Sequence, residues 1–66
     1  MKKIFSIEPP QKTNSTYGNW ICLLIIGIPF GDRKTNCSQY FFKKNKAIEF
    51  YNNAIRSINS IGYFEY

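Results

Sequence analysis

A small α+β domain is the fold class that this sequence predicts, an antiparallel sheet of three to four strands with one C-terminal amphipathic helix packed on one face. Three observations predict it. Trp20-Ile21-Cys22-Leu23-Leu24-Ile25-Ile26 is a continuous apolar run, the pattern of a strand covered on both faces. A turn and a second strand-length segment follow it. After residue 43 the apolar residues switch to spacings of three and four, the period of a helix.

Taken in order, residues 3–8 form a short strand, with Phe5 and Ile7 on one face and Ser6 and Glu8 on the other. Pro9-Pro10 ends it, because proline has no N–H to give to a ladder. Residues 11–18 are polar and rich in turn formers, so they read as a loop. The apolar strand follows, then a turn at Gly31-Asp32-Arg33-Lys34 and a returning strand over 35–42. On that strand Cys37, Gln39 and Phe41 point one way, and Ser38, Tyr40 and Phe42 the other.

The helix follows without a break. Ala47, Ile48, Tyr51, Ala54, Ile55, Ile58 and Ile61 make one apolar stripe, with Glu49, Asn52, Asn53, Arg56, Asn59 and Ser60 opposite. Asn45 suits the N-cap and Gly62 a left-handed C-cap. The last four residues read as a terminal strand. One face of the hairpin must carry the helix. The first strand's flanks, the Tyr63-Phe64-Glu65-Tyr66 tail or a partner is left to cover the other.

Sixty-six residues make a single domain, 1–66, with one core worth no more than about 3–5 kcal/mol at this size. A hydrophobic content of 44% with 18% aromatics is enough for a folded chain. Met1-Lys2-Lys3-Ile4-Phe5 imitates the start of a signal peptide, but Glu8-Pro9-Pro10 stands where the apolar segment belongs. Residues 20–30 are about half the ~20 needed for a membrane-crossing helix, and Gly27 and Pro29 interrupt them. The expected location is cytoplasmic, the host's if a phage encodes the chain.

Catalysis finds little to work with. The chain has no histidine, and its acids are the scattered Glu8, Asp32, Glu49 and Glu65. Cys22 and Cys37 lack an imidazole base and are too few for a structural zinc site. With a hairpin loop over 29–34, Cys22 faces Phe41 and Cys37 faces Ile26. Four residues of offset at ~3.3 Å each exceed the ~7 Å Cα separation that a disulfide allows. A shifted register would bring them nearer, but two free thiols in a reducing compartment are the expectation, with no cofactor and no enzyme activity.

The cations are more informative. Lys43, Lys44 and Lys46 gather at the helix start, where the dipole disfavours positive charge by ~0.3–1 kcal/mol each. Arg33 and Lys34 stand at the hairpin tip, and Lys2, Lys3 and Lys12 extend the charge. A net charge of +5 and a pI near 9.4 suit an anionic partner, either nucleic acid or an acidic protein surface. Trp20 and Tyr40, with other aromatics, are candidates for base stacking or an interface if they lie on one exposed sheet face.

Gly18-Asn19-Trp20, the hairpin, Phe41 and then Ala47, Ile48, Tyr51, Asn52, Ala54 and Ile55 together resemble the ethylene-response-factor type of DNA-binding domain. Relatives of that domain occur in phage-type integrases and homing endonucleases. The similarity spans about residues 18–58. It implies a three-stranded sheet backed by a helix, with the sheet's other face in the DNA major groove. Trp20 is the one match to a DNA-contacting position. Where the family carries arginine and polar residues for reading bases, this chain has Ile21, Cys22, Leu23, Leu24, Ile25 and Ile26. DNA binding would then rest on lysine–phosphate contacts.

The same apolar strand supports an alternative, a protein-interaction module using the hairpin face as a homodimer or docked on a larger complex. Ile58-Asn59-Ser60-Ile61-Gly62 also resembles the closing segment of small linker modules in light-harvesting assemblies. Phage inhibitors of host enzymes are a further example of this class.

Overall fold

The computed structural model describes residues 3–27 and 33–66. The chain runs β1 (Lys3–Ile7), β2 (Gln11–Ser15), β3 (Gly18–Gly27), β4 (Lys34–Phe41), α1 (Lys44–Ile61) and β5 (Phe64–Glu65). All strand pairs are antiparallel. The long β3 is central: β4 pairs one edge along its length, while β1 and β2 share the other. β5 closes the far side of β1. The α+β architecture is as the sequence predicts, with α1 against one face of the sheet.

The Pro9-Pro10 break now has a clear role. The Glu8 amide donates to the Leu23 carbonyl at 2.9 Å, and two residues without N–H groups then separate β1 from β2. Residues 11–18 do not form a loop. Gln11 and Lys12 pair with Ile21 and Trp20, and a two-residue turn at Thr16-Tyr17 joins Ser15 to Gly18. This strand lies at the edge of the sheet and buries none of its side chains, so it needed no apolar alternation. Its sequence signal was absent for that reason.

Within β1, Phe5 and Ile7 do not share a face. The pairing slips between Ile4↔Ile26 and Ser6↔Ile25, so Phe5 is the extra residue of a bulge. The slip turns both Ile4 and Ile7 into the core, while Phe5 lies against Gly27 and Tyr63.

The β3–β4 register sets Cys22 opposite Gln39 and Cys37 opposite Leu24, two residues away from the expected pairing. The ladder ends at Gly27↔Lys34, so residues 28–33 join the strands in place of 29–34, and moving the centre of the connection by one residue shifts every pair by two. The Gly31-Asp32 half of the expected turn lies outside the described residues, as does Lys2. Both cysteines are free, Cys22 buried and Cys37 half-buried.

The core joins Ile4, Ile7, Cys22, Leu24 and Ala54, with Ile26, Cys37, Phe41, Phe50, Tyr51, Ile55, Ile58 and Phe64 packed against it. Ala47 and Ala54 are fully buried, and their small side chains let α1 approach the sheet closely. The helix stripe is rotated from the expected one. Ile48 and Ile61 are 38% and 59% exposed, and Phe50 takes a central place against Phe41, Phe64 and Tyr66.

Lys43, in an extended conformation, is the N-cap instead of Asn45, which lies inside the first turn because the helix starts directly after the Phe42-Lys43 bend. At the other end Gly62 has a φ of 89° and its amide donates to the Ile58 carbonyl at 2.9 Å. The Ser57 hydroxyl donates to the Tyr63 carbonyl at 2.6 Å and fixes the chain's return into β5. A Cβ at residue 62 would meet nothing within 4 Å. Gly62→Ala should therefore cost only the left-handed backbone penalty of about 1–2 kcal/mol, read as a lower urea midpoint with unchanged slope.

Candidate nucleic-acid interface and open sheet face

Side chains alternate across a strand, and β3 sorts the candidate residues by that rule. Trp20, Cys22, Leu24 and Ile26 face α1, whereas Ile21, Leu23 and Ile25 face away. Trp20 and Tyr40 therefore lie on opposite faces. Trp20 is partnered by Phe41, while Tyr40 pairs with Ile21 and meets Tyr17 with ring centroids 5.7 Å apart. The tryptophan is thus not on the face that the family resemblance turns toward DNA.

Around Trp20 the structure builds a basic corner. The Lys44 Nζ lies 5.4 Å from the centre of the Trp20 ring, within cation–π range. Lys12 is the cross-strand partner of Trp20 on its other side. Lys43 and Lys46 complete the cluster at the helix start, all of them exposed. No acidic residue stands in the first turn and no side chain caps it, so the helix dipole and its first amides present positive potential to solvent. Lys46 pairs with Glu49 at 3.9 Å, but both are well exposed and the pair is worth only a few tenths of a kcal/mol.

Arg33 and Lys34 are not part of this corner. They stand at the opposite end of β4, and seven strand steps at ~3.3 Å put Lys34 about 23 Å from Phe41. There the Lys34 Nζ lies 5.3 Å from the centre of the Phe5 ring, and the Lys3 Nζ lies 4.6 Å from that of Tyr63. The sequence's five candidate cations thus divide into two groups. The place of Lys12 beside Trp20 escaped sequence reading, because β2 itself was not visible.

The face of the sheet away from the helix is not covered by the described residues. Leu23 and Ile25 are 42% and 36% exposed, and Tyr17 is 72% exposed. A hollow of about 390 Å³ lies across β1, β3 and β4, lined among others by Ser6, Glu8, Leu23, Ile25, Asn36 and Ser38. The tail does not fill it: Phe64 and Tyr66 pack on Phe50 on the helix side.

Burial pushes the Cys22 thiol above its ordinary pKa, away from the reactive thiolate. The Tyr66 hydroxyl is also raised, first by burial and then by Cys37. Among the described residues no three of His, Cys, Asp and Glu lie together as a metal would need, and no helix is long and apolar enough to cross a membrane. Comparison with protein-family models, curated proteins and solved structures gives no match.

Proposed function

We propose that this chain is a small non-catalytic binding module of the cytoplasm that docks on the phosphates of nucleic acid. Lys43, Lys44 and Lys46 make the first contacts and Lys12 lies beside them. The observation that carries the reading is that Lys44 and Lys12 flank Trp20 while Lys43 and Lys46 stand at the same helix start, which has no side-chain cap and no acid in its first turn. The resemblance to ethylene-response-factor-type domains points to the same class of partner. Apolar Leu23 and Ile25 on the open face are poor readers of base edges, so the contact is weakly selective.

Three to four phosphate contacts imply an affinity for duplex DNA that falls roughly 40- to 150-fold between about 50 and 200 mM salt. Fluorescence anisotropy with labelled duplex and single strands measures this. Replacing Lys43, Lys44 and Lys46 together by Glu should abolish binding, whereas Arg33→Glu with Lys34→Glu should retain most of it. No binding at the lower salt ends the proposal.

A second reading rests on the exposure of Leu23 and Ile25: the open face is a docking surface for a protein, in an assembly or as an inhibitor. An apolar dye should fluoresce with the native chain and lose most of that signal with Leu23→Asp and Ile25→Asp. An unchanged, dark baseline would count against this reading, as would a chain that stays monomeric at high concentration in light scattering.

A further inference from the structure

The inner edge of β4 is paired with β3 over all eight residues, and among the described residues no strand pairs its outer edge. Such an edge presents a row of unpaired N–H and C=O groups, and proteins usually blunt it with bulges, prolines, charges or a covering segment. The other side of this sheet follows that rule: β5 covers β1, and a register shift interrupts β2. On β4 the charge is confined to its first residue, Lys34: the ladder with β3 runs without a shift, and residues 35–41 contain neither proline nor charge.

Charge brackets the strand. Arg33 precedes it, Lys34 opens it, and Lys43 and Lys44 follow it, all exposed. The ion pair found among the described residues, Lys46–Glu49, uses none of the four. We propose that the β4 edge receives an extended segment of another protein, with an uncharged middle of about eight residues and Asp or Glu at both ends, which joins the sheet as an added strand.

Charge selects this occupant over the alternatives. A second copy of the chain, paired antiparallel about a two-fold axis, would set Lys34 of each strand beside the Phe41–Lys43 end of the other, with like charges together at both ends. Nucleic acid has no peptide groups to pair with the edge. An acidic-ended peptide meets a cation at each end, and its backbone satisfies the free groups between them. On the open side its alternate side chains would lie beside Asn36 and Ser38, at the rim of the hollow that Leu23 and Ile25 floor.

The test titrates the ¹⁵N-labelled full chain with a synthetic peptide of alternating Thr and Val flanked by paired Glu residues. Two controls run beside it: the same peptide with Lys flanks, and the Glu-flanked peptide N-methylated at alternate residues. The expected result is amide shifts running along β4, with affinity for the Glu-flanked peptide about tenfold above that for the Lys-flanked one. N-methylation on the pairing edge should remove binding, and Arg33→Glu with Lys34→Glu should reduce the Glu-flanked preference. Equal affinity for the two flanks, shifts confined to the Lys43–Lys46 corner, or β4 shifts that follow chain dimerisation in light scattering would each overturn the proposal. The phosphate reading is decided separately by the DNA titration, in which these two substitutions retain most of the binding.

Discussion

Gly18→Ala is expected to leave most of the chain unfolded at physiological temperature. A Cβ built on Gly18 would lie 2.6 Å from the Phe41 carbonyl oxygen and 2.8 and 2.9 Å from its carbonyl carbon and amide nitrogen. These are backbone atoms of the neighbouring strand, so no rotamer change relieves the overlap. Relief requires β3 and β4 to separate where Trp20 pairs with Phe41. Overpacking in a core costs about 1–3 kcal/mol, and holding a residue with a Cβ at a φ of 157° adds about 1–3 kcal/mol more. Against a total of about 3–5 kcal/mol for a core of this size, that loss is decisive. Far-UV circular dichroism and a urea melt give the result directly. A variant that keeps its signal and loses less than about 1 kcal/mol would show that the close approach at Gly18 is not needed for the fold.

Gly62→Ala is the instructive contrast. Its φ of 89° is also a conformation that favours glycine, yet the space around it is open, so the smaller effect belongs there. The two glycines differ in what surrounds them, and a sequence lists both simply as Gly. The Gly18-Asn19-Trp20 pattern is part of the family resemblance. The structure supplies a physical reason for its first residue in this chain, the Phe41 backbone.

The parts of the fold that were legible in the sequence are those whose signal is an apolar period. β3 and β4 read correctly because a continuous apolar run is followed by a turn signal and a second strand-length segment, and α1 because Ala47, Tyr51, Ala54, Ile55 and Ile58 recur at helical spacing. β2 was illegible because an edge strand that buries nothing carries no such period. The face of Phe5 was misread because one bulge residue reverses every side chain before it. The continuous run in β3 suggested two covered faces, whereas the described residues cover one and leave Leu23 and Ile25 exposed. For the candidate site, the lysines at the helix start were visible as a local breach of dipole preference. Their separation from Arg33 and Lys34 was not, since a strand of eight residues looks short in sequence and long in space.

The least visible structural residue is Phe50, and Phe50→Ala should be the most damaging change in the helix. Phe50 sits among polar and charged neighbours in sequence, between Glu49 and Tyr51-Asn52, and at the margin of the apolar stripe. In space its ring centre lies 5.3 Å from that of Phe41, 5.8 Å from Phe64 and 5.6 Å from Tyr66. It therefore ties the end of β4 to β5, and both to α1. Truncating a core phenylalanine costs about 3–5 kcal/mol, and partial exposure of this ring lowers the figure to about 2–4. Even the lower figure takes much of the stability available to such a core.

The damage should also be local in a way that Gly18→Ala is not. β5 has only two residues, paired to Lys3 and Ile4, and a ladder that short depends on the packing of Phe64. Phe50→Leu keeps most of the volume and should hold the fold at a cost below about 1.5 kcal/mol. In that folded variant, amide exchange in β5 should accelerate while exchange in β3 and β4 stays near the native rate. Uniform acceleration across the sheet, or an Ala variant as stable as the native chain, would mean that the aromatic cluster around Phe50 does not hold the C-terminal strand in place.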